Sequence, residues 1–192
     1  MSSILKVDTI QNTSGTSEVK IDAIKDTGGN TIISSNGSGT FTSNLPSGGD
    51  NTPSFQAYMN GNQSLANTTY TKMEMDTEVY DSDSKYDTSN YRFTPGVAGK
   101  YWVWGKFRMD TGTSIAASII AVYKNGSLIS KFTQKQANST TRAFGQVITL
   151  DADDYIELYG YQNGGSSENV NGGSNEDQDT GHWGAWKING VT

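Results

Sequence analysis

Residues 86–109 read YDTSNYRFTPGVAGKYWVWGKFRM, and this stretch decides the fold class. Pro95 and Gly99 bracket a tight connection, because proline fixes φ and glycine admits turn conformations closed to other residues. Beyond it the chain alternates. Tyr101, Val103, Phe107 and Met109 fall on one face and Trp102, Trp104, Lys106 and Arg108 on the other, since successive strand side chains point to opposite sides. The pattern is that of a half-buried strand that follows a turn.

The flanking sequence repeats that pattern. PSFQAYM at 53–59 reads as a first strand, and 68–80 alternates Thr71, Met73, Met75, Thr77 and Val79 against Lys72, Glu74, Asp76, Glu78 and Tyr80. An apolar run at 115–123 reads as a buried strand. It meets Lys124-Asn125-Gly126-Ser127, a hairpin turn, with 128–133 returning. Residues 144–150 and 155–161 predict a further antiparallel pair around the DADD of 151–154. A long loop, 162–181, then leads to a last strand in HWGAWKI at 182–188. Nine or ten short strands fit an all-β, antiparallel sandwich.

Phe93-x-Pro95 followed by Gly99-x-Tyr101-x-Val103 resembles the signature of the C1q/TNF-like jelly-roll family. Lys124-Asn125-Gly126 resembles a turn found in that family, and Leu150, Asp154, Ile156 and Leu158 resemble its Leu-x-x-Gly-Asp-x-Val-x-Leu segment. Val103 stands where the family usually has Phe, Gly105 where another aromatic is common, and Asp153 where Gly is usual. The resemblance spans residues 53–190. It implies a jelly-roll head, a homotrimer, and first and last strands near the trimer axis, which places Phe55, Tyr58 and Trp183 or Trp186 there. The two tryptophans have opposite parity, so at most one faces inward.

Composition narrows the function classes. The 192 residues are 33% hydrophobic and 18% charged, rich in Gly, Ser, Thr and Asn, and free of cysteine. Disulfide and thiolate chemistry are therefore excluded. A formal net charge of -6 argues against a phosphate-backbone partner, so no nucleic acid is expected. The apolar run at 115–123 is far too short for a helical span, so no membrane insertion is expected either. The opening Met1-Ser2-Ser3 has no signal-peptide pattern, and synthesis and folding in a cytoplasm are expected.

The N-terminal region carries a repeat at an offset of 14 residues. LKVDTIQNTSGT from Leu5 aligns with VKIDAIKDTGGN from Val19. Units so small cannot bury Leu5, Val7, Ile10, Val19, Ile21 and Ile24 by themselves, so they need stacked neighbours or other chains. A second strand-turn-strand is predicted at 31–42, turning at Asn36-Gly37. The string Leu5-Lys6-Val7-Asp8-Thr9-Ile10-Gln11 resembles the start of fibre-like virion proteins of tailed phages, marine cyanophages in particular. SNLPSGGDNTP at 43–53 cannot extend a sheet or start a helix. The expected division is a β-rich stalk or anchor over 1–45, a linker over 46–53 and the jelly-roll head over 54–192.

Catalytic residues are scarce. His182 is the sole histidine, with no nucleophile elbow or orienting acid in recognisable order, so no enzyme activity is expected. Residues 81–87 open like a calcium loop but have Tyr86 and Arg92 where an EF-hand needs Gly and Glu. The family resemblance allows calcium near the trimer axis through Glu168, Glu176, Asp177 and Asp179; otherwise no cofactor is expected. Trp102 and Trp104 require cover by a loop, a partner chain or a ligand. As a sugar platform they would draw hydrogen bonds from Asn163, Glu168, Asn169 and Asp177. The resulting expectation is a trimeric phage fibre or appendage in the virion, assembled in the bacterial cytoplasm, held to other virion proteins by its N-terminal segment and binding a host surface glycan or protein. The alternatives are a capsid decoration or adaptor protein and a bacterial C1q-like lectin.

Overall fold

The computed structural model describes residues 23–35, 38, 41–43, 51–110, 115–137, 140–176 and 179–189. The chain divides into two compact units, Met1–Gly49 and Asp50–Thr192. In the first, β1 (Ala23–Lys25), β2 (Thr31–Ser35) and β3 (Phe41–Ser43) form an antiparallel three-stranded sheet in that order. Asp26 closes the β1–β2 turn by accepting from the amides of Gly28 and Asn30 at 2.9 and 2.8 Å, an arrangement that shows why Asp leads such turns. The first copy of the 14-residue repeat and the Asn36-Gly37 turn lie outside the described residues.

Among the described residues the second unit holds thirteen strands: β4 (Ser54–Tyr58), β5 (Gln63–Leu65), β6 (Thr71–Lys72), β7 (Thr77–Asp81), β8 (Tyr86–Asp87), β9 (Arg92–Phe93), β10 (Gly99–Asp110), β11 (Ile115–Lys124), β12 (Ser127–Ala137), β13 (Thr140–Leu150), β14 (Ile156–Gln162), β15 (Glu168–Val170) and β16 (His182–Lys187). They make two sheets. One runs β13-β10-β16-β4-β7, with β15 and β5 continuing along β10 past β16; the other runs β12-β11-β14-β9-β8, with β6 also on β14. All strand pairs are antiparallel, and among the described residues there is no helix.

β10 is twelve residues long, and its alternation is the expected one: Tyr101, Val103, Phe107 and Met109 are fully buried, while Trp102, Trp104, Lys106 and Arg108 face outward. Gly105 lies on the buried face opposite Phe144 and Trp183. A Cβ there would sit 2.8 Å from the Phe144 ring. Two cross-strand neighbours thus fill the volume that an aromatic at 105 would have taken. The core between the sheets centres on Phe55, stacked on Tyr86 at 4.5 Å and on Phe93 at 4.6 Å, with Trp183 edge-on at 5.0 Å. The polar atoms of these rings are satisfied: Tyr86 donates to the Met75 carbonyl and accepts from Trp183 Nε1. Burial raises the pKa of the Tyr86 phenol.

Two strand expectations need correction. Residues 68–80 are not one strand. β6 pairs with β14 in one sheet and β7 with β4 in the other, so the chain crosses the sandwich between them. Met73 and Met75 are buried at the crossing, and the pattern ends there, with Val79 40% exposed. Residues 144–150 and 155–161 do not pair with each other either. β13 joins β10 and β14 joins β11, so the 151–154 loop carries the chain from sheet to sheet. The KNG hairpin does form, with Asn125 and Gly126 at φ of 51° and 76°, the left-handed pair such a turn requires.

Candidate functional site

The outer face of the β10 sheet carries a cross-strand row, Trp186 on β16, Trp102 on β10 and Val147 on β13, in direct register. The indoles of Trp102 and Trp186 lie 6.3 Å apart. In the next row Trp104 stands between Gly184 and Gly145. These glycines are troughs for the rings. A Cβ on Gly145 would lie 2.5 Å from Trp102 Cζ2, and one on Gly184 would lie 2.9 Å from Trp104 Nε1. Both indoles are consequently half-buried within one chain, while Val147 remains 52% exposed.

The described residues expected to serve Trp102 and Trp104 do not reach them. Asn169 pairs with Asp110 at the far end of β10, eight residues from Trp102, which is about 26 Å at ordinary strand rise. Glu168 sits beside Asn169 opposite Leu65. Asn163 follows β14 in the other sheet, where its carboxamide oxygen accepts from the Ala117 amide of β11. Asp177 lies outside the described residues. Asn163, Glu168 and Asn169 therefore do not form one site with the two tryptophans.

The interface residues taken from the family resemblance divide by parity. Phe55 and Trp183 are fully buried in their own chain's core, so neither can face a partner; this corrects the expectation for Phe55 and, of the two tryptophans, leaves Trp186. Tyr58 and Trp186 are half-exposed on the outer face. His182 is buried, its Nδ1 2.9 Å from the Thr180 carbonyl and its Nε2 3.2 Å from that of Asn175, with Tyr58 alongside. Both ring nitrogens are thus engaged by backbone oxygens. Of the acids considered for calcium, Asp179 accepts from Arg108 at 2.7 Å. No three metal-ligating side chains gather among the described residues.

A second aromatic face, absent from the sequence reading, lies on the outer side of the other sheet. Tyr123 of β11 packs on Tyr159 of β14 at 4.0 Å, and Tyr70, just before β6, contacts Tyr161 at 4.9 Å and Tyr123 at 6.1 Å. Burial raises the pKa of both Tyr123 and Tyr159. Directly across from these rings lie Lys72, opposite Tyr159, and Glu157, opposite Tyr123. Glu157 is 3% exposed and accepts from Lys72 at 3.0 Å and from Arg92 at 2.9 Å. The Arg92 guanidinium also lies 3.7 Å above the Tyr155 ring. The signal in the sequence is one of parity: Tyr159 and Tyr161 alternate against Ile156 and Leu158.

No family model matches the sequence, and no curated protein matches it. Solved structures do. The globular domain of zebrafish complement 1qA protein is similar over 71% of this chain and 97% of its own, at 13% identity and a TM-score of 0.50. Eiger TNF from S. frugiperda is similar over 73% and 96%, at 8% identity and a TM-score of 0.52. Murine APRIL is similar over 70% and 98%, at 11% identity and a TM-score of 0.51. At such identities the likeness speaks for architecture alone, and that architecture is the C1q/TNF-like antiparallel jelly roll.

Proposed function

We propose that this chain is a non-enzymatic, homotrimeric appendage or fibre protein of a phage virion, anchored to other virion proteins by its N-terminal β-rich segment and presenting the jelly-roll head to the host surface. The observation that carries the trimer is the row of Trp186, Trp102 and Val147. An apolar sheet face of this kind, half-exposed in one chain, is what a subunit interface needs at its centre. Trimer symmetry and the virion come from the family and phage resemblances of the sequence. The short N-terminal strands, which cannot bury their apolar residues alone, support an anchoring role. Light scattering on the full chain at micromolar concentration tests the assembly. Three chains of 20.7 kDa give about 62 kDa, and a mass near that of one chain overturns the trimer. Gold-labelled antibody against the head, imaged on particles, tests the virion.

A further inference from the structure

We infer that the tyrosine face of the β11–β14 sheet is a binding platform for a neutral oligosaccharide. This deepens the reading of the head as a surface-binding module and depends on neither the trimer nor the virion.

Three observations point to a sugar. The four rings of Tyr70, Tyr123, Tyr159 and Tyr161 form one continuous patch, each ring within 6.1 Å of the next. All four are half-exposed, and none of their hydroxyls has a hydrogen-bond partner among the described residues; the hydroxyls of the core tyrosines Tyr86 and Tyr101 are both satisfied by carbonyls. The patch therefore offers ring faces and unused donors and acceptors together. A pyranose presents the matching surface, an apolar C–H face with hydroxyls around its edge. Tyrosine suits this task because its rigid ring loses little conformational entropy on binding and carries a polar tip.

The rim sets the charge of the ligand. Lys72 and Arg92 are the cations beside the rings, and both are held by the single oxygen Glu157 Oε1. Their charge is already engaged, so an anionic polymer would have to displace a buried carboxylate, while neutral hydroxyls can share the remaining N–H groups. The same mixture of rings and ionised groups is unlike the charge-depleted centre of a protein interface. The Trp102 face lacks this arrangement of hydroxyl-bearing rings, and Asn163, Glu168 and Asn169, expected to supply its polar contacts, lie elsewhere.

The test is native electrophoresis of the full chain through gels cast with mannan, galactomannan, soluble starch or a soluble β-glucan, with an alginate gel for comparison. Retardation is expected in at least one neutral gel. Tyr123→Ala with Tyr159→Ala should weaken it about tenfold or more, the loss of two stacking contacts, with mass and melting temperature held. Tyr159→Phe, which keeps the ring, should retain most of it. Should the double variant fail to fold, Tyr70→Ser, which removes the ring between Tyr161 and Tyr123, replaces it, with the same expected loss. Absence of retardation in all four neutral gels, retardation by alginate alone, or retardation unchanged in the tyrosine variants overturns the proposal. A tyrosine-dependent doubling of mass at high concentration also overturns it, by showing that this face joins copies of the chain. A monomer that is still retarded overturns the trimer and leaves the platform standing.

Discussion

The two outer faces of the sandwich are both aromatic, yet they are built in opposite ways. On the β10 sheet, Trp102 and Trp104 lie down over Gly145 and Gly184, so the rings are held by their own strands and present a level apolar surface continued by Trp186 and Val147. On the β11–β14 sheet, four tyrosines lean on one another beside a buried carboxylate shared by two cations. The first surface gains most from being dehydrated altogether, which neighbouring copies of the chain packed around a shared axis can do. The second keeps polar groups in reach of water and suits a ligand that brings its own hydroxyls. On the proposed reading, the face whose ring volume is balanced by glycine serves assembly, and the face whose hydroxyls remain unused serves recognition.

The largest expected effect breaks the first half of that contrast. Val147 is 52% exposed in one chain, so Val147→Asp should leave the isolated head folded. In an assembly it would bury a carboxylate at every copy of the interface, a penalty of several kcal/mol. The mass should fall from about 62 kDa to that of a single 20.7 kDa chain with an unchanged circular dichroism spectrum. A variant that keeps the larger mass shows that the tryptophan face is not where subunits meet.

Glu157→Gln probes the other face. It leaves Lys72 and Arg92 without their carboxylate at a position only 3% exposed, while both cations keep partial contact with water. The expected loss is about 2 kcal/mol, or roughly 5 °C in Tm for a domain of this size. The oligomeric mass should not change. A fall in mass would mean that the tyrosine face contributes to assembly and would dissolve the distinction between the faces.

Gly145→Ala is a smaller disturbance of the tryptophan face. The new methyl would sit 2.5 Å from Trp102 Cζ2, so the indole must tilt away from the sheet. A cost of about 1 kcal/mol in the fold is expected, with a larger weakening of self-association because the level surface is lost. Dilution-dependent light scattering separates the two. Equal dissociation of variant and wild type would show that the glycine trough matters only to the single chain.

How far these faces were legible in the sequence follows from which interactions are local. The alternation of β10 is local, and its in-or-out pattern could be read from Tyr101 to Met109. The crossing at 73–76 could not, because Met73 and Met75 keep the period of two while the chain changes sheets. Phe55 was misplaced, and the choice between Trp183 and Trp186 left open, for a related reason. The burial of Phe55 and Trp183 depends on the space left by Gly105 and on Tyr86 and Phe93 stacking from other strands. The tyrosine face joins residues 70, 123, 159 and 161 through strand order, and the 151–154 loop is held by Lys124 and Asn125, contacts that only the folded topology supplies.

The smallest expected effect is a dependence on pH that belongs to the tyrosine-bearing sheet. Two head carboxylates held below their ordinary range lie there, Asp87 on β8, through hydrogen bonds from Asn90 and Ser89, and Asp154 just before β14. Asp154 is brought down to about 2, chiefly by its hydrogen bond from Lys124, with the amide of Asp151 and the carboxamide of Asn125 adding to it. A carboxyl whose folded pKa lies below its unfolded value of 3.8 contributes stability that is complete above that value and is lost as pH falls toward the folded one. Asp154→Asn removes the charge at every pH. Wild type should therefore melt above the variant at pH 7, and the gap should close between pH 4 and about pH 2, where Asp154 itself becomes protonated. Thermal melts of both proteins at pH 7, 4, 3 and 2 measure this directly. A gap that persists at pH 2 would assign the role of Asp154 to the shape of its hydrogen bonds with Asp151 and Asn125 rather than to its charge, and the acid limb of the tyrosine-bearing sheet would then rest on Asp87.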